Sequence, residues 1–234
     1  VNLQARRVKI DLLTCPSDEE VFNQPNSNTF ARWYYNYAAN WGNTSKGQQD
    51  INLATMGPSG LTVDIDGDGG RDTGMYPFLG APFTFGEGIP MRKLSDGTSK
   101  TLMYAEVKTY PLTDGQDWHG SIGDCTICRG GQGFTTLLPP NVDGDLSNGR
   151  IDVTDEFPAT FDPEWPVSAQ GVSTPPAGAA GYRAVVNRAY TAARSQHPGG
   201  VNAAHCDGSS QFYSNDIDEV VWRALGSSQG SEAQ

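Results

Sequence analysis

What this sequence lacks narrows it before any motif is read. No apolar run is longer than a few residues, so nothing here is long enough to span a bilayer as a helix. Basic residues are scarce: 16 Lys and Arg stand against 27 Asp and Glu, a formal net charge of −11. A chain so acidic repels phosphate backbones, which excludes a general nucleic-acid binder. Histidine is rarer still, with three in 234 residues, His119, His197 and His205. There is no Gly-x-Ser-x-Gly elbow, no P-loop, no strand-led Gly-x-Gly-x-x-Gly and no His-Glu-x-x-His helix. The sequence advertises no active site and is read as a non-enzyme. The chain also starts at Val1, without an initiator Met or a signal-peptide pattern, and is read as a mature or trimmed piece.

What is present points to strands and turns. The 28 Gly and 15 Pro make up roughly one residue in five or six, which argues against a helical bundle. With glycine included, about half of the chain is apolar, the ordinary globular range, so compositional disorder is excluded. The length fits one large domain over 1–234, with loop insertions at about 57–90 and 110–178. The aromatic run at 30–41 predicts a buried strand rather than a base-stacking surface. Residues 94–107 predict a turn or short helix feeding a strand. Residues 201–214 predict two short strands around an Asp207-Gly208 hairpin turn. At 217–226, Ile217, Val220, Val221 and Leu225 fall on one helical face, with Gly226 as the stop.

The four cysteines are Cys15, Cys125, Cys128 and Cys206. An even count in an acidic chain rich in Asn, Gly and Asp suits an oxidising compartment. Cys125 and Cys128 have redox-motif spacing, but Arg129 follows where haem attachment needs His. No second such pair completes a four-cysteine zinc site. A local Cys125–Cys128 disulfide is the preferred reading, with Cys15–Cys206 as a second pairing; buried free thiols are the alternative.

Two loops carry cation chemistry. Asp64, Asp66 and Asp68 stand at alternate positions, then Gly69, then Asp72. Hard oxygens at that spacing suit calcium, and the acids repel one another without a cation. The twelfth position is Met75, so the loop is not an EF-hand and needs other ligands. Asn141, Asp143, Asp145, Ser147 and Asp152 form a second candidate, similar to the calcium loop of dockerin-type repeats, although Leu146 replaces its glycine. Calcium is the expected cofactor at both, stabilising stretches too long for ordinary connections. His197, His205 and Asp207 are close enough in sequence for a zinc or non-haem metal set, but His205 and Asp207 straddle a tight turn. His197 is read as structural, bonding backbone or the Asp207 side chain across the hairpin.

Several segments together resemble a known family. Arg194 to Asn202 holds His197, nine residues separate it from Asp207-Gly208, and Val221-Trp222-Arg223-Ala224-Leu225-Gly226 follows. Cys15-Pro16-Ser17-Asp18, Leu94 to Leu102 with Glu106, and residues 134–141 also match. The combination resembles the planctomycete prepilin-like family (type IV pilin or type II secretion pseudopilin-like), which also carries an extracellular solute-binding label. Both calcium-like loops and the Cys125/Cys128 pair are additions to that pattern, and His205 stands where an apolar residue is usual.

That resemblance implies an α+β fold: a pilin-like antiparallel sheet with long loops and a C-terminal helix. The family's N-terminal hydrophobic helix lies outside this chain and would be its only link to a membrane. By the same resemblance the chain is the globular part of a homo-oligomeric filament subunit at the cell surface or outside the cell. The alternative is a calcium-dependent surface module for solutes or glycans, with the aromatics at 30–41 as its platform.

Overall fold

The hairpin that the sequence marks is the spine of the fold. A computed structural model describes residues 7–23, 32–45, 47–56, 63–84, 89–109, 133–142 and 190–230. Strands β8 (Gly200–His205) and β9 (Ser210–Ser214) pair antiparallel, with Asn202 opposite Phe212. Their turn works as its residue types require. Gly208 takes a left-handed φ of 87°, and the Asp207 carboxylate accepts from the Ser209 backbone N–H at 2.9 Å and its hydroxyl at 2.7 Å.

The sheet grows from β8 toward the other edge. β6 (Leu102–Glu106) lies antiparallel to β8, with Ala105 opposite Ala203 and an irregular step between Leu102 and Tyr104. β3 (Tyr37–Asn40) pairs antiparallel with β6, placing Tyr37 opposite Glu106. β7 (Gly133–Phe134) then joins β3 in parallel. The order is β7-β3-β6-β8-β9, so the expected antiparallel sheet is a mixed one with a single parallel edge.

Two small antiparallel pairs flank it: β1 (Phe22–Asn23) with β2 (Arg32–Trp33), and β4 (Ile51–Asn52) with β5 (Met75–Tyr76). Strand β5 lies inside the stretch read as loop at 57–90. Helix α1 (Leu53–Met56) is one turn, and α2 (Glu219–Gly226) is the longer C-terminal helix. Residues 110–132 and 143–189, most of the second irregular stretch, lie outside the described residues. The class is α+β, as expected. No helix among the described residues is long and apolar enough to cross a membrane.

Strand alternation sorts the sheet's faces. Ala38, Leu102, Ala105, Val201, Ala203 and Tyr213 point inward and meet Trp222 of α2. Three of these are alanines, which leaves room for the indole. Trp222 is fully buried, lies 5.5 Å from the Tyr213 ring centroid, and donates Nε1–H to the Leu138 carbonyl at 2.9 Å. Truncating so buried an aromatic costs about 3–5 kcal/mol. The expected strand at 30–41 is present as β2 and β3, with Tyr34 and Tyr35 buried between them.

Helix α2 starts where Asp218 caps it, accepting from the N–H groups of Val220 at 2.9 Å and Val221 at 3.0 Å. Its buried face differs from the periodicity reading. Trp222, Arg223 and Ala224 are buried, Ile217 and Leu225 pack at the margin, and Val221 is half exposed. Arg223 is buried because carbonyls receive it: Nε donates to Leu137 O at 2.9 Å, and the guanidinium also reaches Asp64 O and the Glu219 carboxylate.

Gly226 ends the helix for a reason other than the one its sequence position implies. A Cβ there would sit 1.8 Å from Thr136 Oγ1 and 2.6 Å from its Cγ2, in a fully buried spot. Close approach, not left-handed backbone, demands the glycine. Gly226→Ala is therefore expected to destabilise by roughly 1–3 kcal/mol through overpacking. A residue acting only as an open helix position would instead gain about 1 kcal/mol from alanine. Urea denaturation of the two proteins reads the sign directly.

Candidate functional site

The site is assembled where the C-terminal end of β6 meets two loops. A 3-10 turn at Asp11–Leu13 leads the chain into Cys15-Pro16-Ser17-Asp18, which turns on a bond from Asp18 N–H to Cys15 O at 3.1 Å. Asp18 then ties this loop to three others. One of its oxygens accepts from Asn36 Nδ2 at 2.5 Å, Thr109 N–H at 2.8 Å and the Thr109 hydroxyl at 3.2 Å. Its other oxygen accepts from Glu19 N–H at 2.9 Å and Gln196 Nε2 at 3.4 Å. Asn36 returns the link, its Oδ1 accepting from the Cys15 N–H at 2.8 Å. Cys15 is thereby held at the ends of β3 and β6.

Glu106 is the last residue of β6, and its side chain is 3% exposed. A carboxylate so buried needs donors. Asn202 of β8 supplies its backbone N–H at 2.7 Å to one oxygen and its amide at 3.2 Å to both. The other oxygen lies 3.1 Å from His197 Nε2. His197 sits in the turn entering β8, where Ser195 Oγ accepts its backbone N–H at 3.0 Å and donates to Gly200 O at 2.7 Å. The same Nε2 stands 3.5 Å from Cys15 Sγ. One sulfur, one nitrogen and one oxygen, from segments up to 182 residues apart, thus lie within 4.8 Å of one another.

Tyr37, opposite Glu106, feels this cluster: burial first, then Cys15 and Glu106, push its hydroxyl above the ordinary tyrosine value. On the outer face of the sheet, Tyr37, Tyr104, Glu106, Asn202 and Ser210 line an open depression of about 280 Å³. Glu106 therefore belongs to both the buried cluster and the floor of this depression.

The arrangement is not that of a cysteine nucleophile. Such a site needs the imidazole to take the thiol proton at one nitrogen while a third group orients the other. Here the sulfur and the carboxylate face the same ring nitrogen.

Of the acids in the 64–72 loop, Asp64, Asp66 and Asp72 converge within 4.8 Å. The Asp68 carboxylate turns instead to Gly70 N–H at 2.6 Å. N–H groups of Gly69 at 2.8 Å and Gly67 at 2.7 Å hold the Asp64 carboxyl below its ordinary range, with Arg223 adding to the effect. Asn141 adopts a positive φ of 56°; its side chain accepts from Ser195 N–H at 2.8 Å and donates to Asn215 Oδ1 at 2.8 Å. Asp143, Asp145, Ser147 and Asp152 lie outside the described residues, as do Cys125, Cys128 and His119.

The Cys15–Cys206 pairing is corrected: both are buried free thiols. Cys206 donates its N–H to Thr101 O at 2.9 Å, before β6 begins, whereas Cys15 sits beside Glu106 at its end. Five residues of strand separate those ends, roughly 16 Å, whereas a disulfide needs Cα atoms within about 7 Å. Burial, with Asp207 adding, pushes the Cys206 thiol up to about 11. The bond from His197 to Asp207 is likewise replaced. The two residues sit at opposite ends of β8, and Asp207 is engaged with Ser209. Nor do His197, His205 and Asp207 form a set, because His205 turns inward to the Tyr213 hydroxyl at 2.7 Å. Sequence reasoning missed Asn36 and Asn202 and left Glu106 without a partner. The available signal was that Cys15, Glu106 and His197 each belong to a segment of the resemblance.

The chain belongs to the SBP_bac_10 family, described as a protein of unknown function (DUF1559), which it matches over residues 1–220. No curated protein and no solved structure matches it.

His205 gives the structure a testable pH response. Burial lowers its pKa from 6.5, with Asp207 partly opposing. The unfolded chain then binds the proton more readily than the folded one, so stability is full above the unfolded value and declines as pH falls through the folded value. Melting temperature should fall as the pH is taken below the ordinary histidine value of 6.5. His205→Gln, which keeps a partner for the Tyr213 hydroxyl, should flatten that drop; an unchanged slope assigns it elsewhere.

Proposed function

We propose that this DUF1559 family member is the globular part of a pilin- or pseudopilin-like subunit, a structural component of a filament or surface assembly outside the cell. The observation that carries this reading is how the family-like segments use their functional groups. Asp18 and Glu106 accept chiefly from backbone and amide N–H groups of other segments, fixing those segments to one another. Their work is cohesion of a domain that has long connections to hold. The segments named for the pilin-like resemblance are thus the ones that knit this head together.

Calcium belongs to the same reading. Three carboxylates converge at Asp64, Asp66 and Asp72, and a divalent cation relieves their repulsion. With a net charge of −11 on every subunit, lateral contacts face repulsion over about 8 Å at physiological salt. Cations in the acidic loop reduce it. Calorimetric titration of metal-stripped protein is expected to show calcium binding that Asp64→Ala with Asp66→Ala removes; absence of heat at millimolar calcium rejects the site.

A second reading, a surface solute- or glycan-binding module, rests on the depression lined by Tyr37 and Tyr104. The aromatic platform expected for it is otherwise engaged: Tyr34 and Tyr35 are buried, and Trp33 packs on Phe22 at 5.0 Å between centroids. Electron microscopy of native material, with and without a calcium chelator, separates the two. The filament reading expects ordered multi-copy assemblies that loosen on chelation and recover with calcium. Isolated monomers in both conditions reject it and favour the binding module.

A further inference from the structure

We propose that Cys15, Glu106 and His197 bind one divalent transition-metal ion of the zinc class. This goes beyond the filament reading and does not depend on it. The donor set is mixed: a sulfur, an imidazole nitrogen and a carboxylate oxygen. Thiolate and imidazole select zinc-class ions over calcium or magnesium, so the site is chemically distinct from the acidic loop at 64–72.

The distances carry the proposal. In a tetrahedral zinc site, with zinc–sulfur at about 2.3 Å and zinc–nitrogen and zinc–oxygen at about 2.0 Å, the sulfur–nitrogen edge is about 3.5 Å and the nitrogen–oxygen edge about 3.3 Å. The corresponding separations are 3.5 Å from Cys15 Sγ to His197 Nε2 and 3.1 Å from that nitrogen to Glu106 Oε1. A proton alone serves these contacts poorly. If Nε2 carries hydrogen it donates to Glu106 and cannot also accept from the thiol; if it does not, it faces the carboxylate with a lone pair. A cation accepts a lone pair from all three, and the thiol proton leaves to solvent.

The surroundings hold the donors as a metal site requires. Asn36 fixes the Cys15 backbone at 2.8 Å. The N–H of Asn202 fixes the second oxygen of Glu106 at 2.7 Å, leaving the first turned to His197. Ser195 fixes the His197 backbone at 3.0 Å. Cys15 and Glu106 are buried, while the His197 side chain is 27% exposed, which gives an ion a way in. Three protein donors leave one position for water.

Cobalt(II) titration of the reduced, metal-stripped chain tests this, with the other thiols removed as Cys125→Ser, Cys128→Ser and Cys206→Ser. The expected result is a thiolate-to-cobalt charge-transfer band that can come only from Cys15, saturates with a single site and is displaced by zinc. Added to that background, His197→Gln and Glu106→Gln are each expected to weaken binding by about tenfold or more. A folded triple variant without the band overturns the proposal, as does affinity unchanged by His197→Gln. Should the triple variant not fold, X-ray absorption of the zinc-loaded unaltered chain decides. One sulfur among nitrogen and oxygen neighbours supports the site, and a shell with no sulfur, or with two or more, overturns it.

Discussion

The structure turns on a carboxylate taken out of water. Glu106 ends the central strand of the sheet, and its burial is tolerable only because donors from other segments surround it. Asn202 answers from β8 with backbone and side chain, and His197 answers from the turn that introduces β8. Removing one donor from so buried a carboxylate typically costs about 1–3 kcal/mol or more, since water does not replace the lost hydrogen bond. The same strand end receives Arg194 N–H on the Glu106 carbonyl at 2.8 Å, so main chain and side chain both stitch here. Cys15 and Asp18 close the arrangement from the N-terminal side through Asn36.

At the other side of the sheet the constraint is shape rather than charge. Trp222 fills the space left by small residues on β3, β6 and β8, and Gly226 lets the helix end approach Thr136. Asn40, fully buried, bridges the layers by donating to Leu102 O at 2.8 Å and Gly226 O at 2.9 Å. Hydrogen bonding of a buried carboxylate at one face and close packing at the other hold the same central strands. A change at either is therefore felt through β6.

Features decided within a few residues were legible in the sequence. The Asp207-Gly208 turn, the strands beside it, the existence of a helix within 217–226 and the strand after residue 101 all follow from local chemistry. The α2 face was misplaced because Val220 and Val221 satisfy a periodicity count, while the alanine-lined sheet selects the larger Trp222. The site was illegible for a related reason. The partners of His197 lie 91 and 182 positions away, and only the pairing of β6 with β8 brings them near. Counting cysteines pointed Cys15 toward Cys206, whereas the sheet puts them at opposite ends of one strand.

If the fold is held in this way, its cohesion should run through Glu106 as one cooperative unit. Amide hydrogen exchange on wild type and Glu106→Gln measures this most directly. The account predicts that protection falls together at Asn202, Asn36 and the 13–18 and 194–199 segments, while β9 and α2 keep theirs. Loss confined to Asn202, or no loss at all, would contradict it.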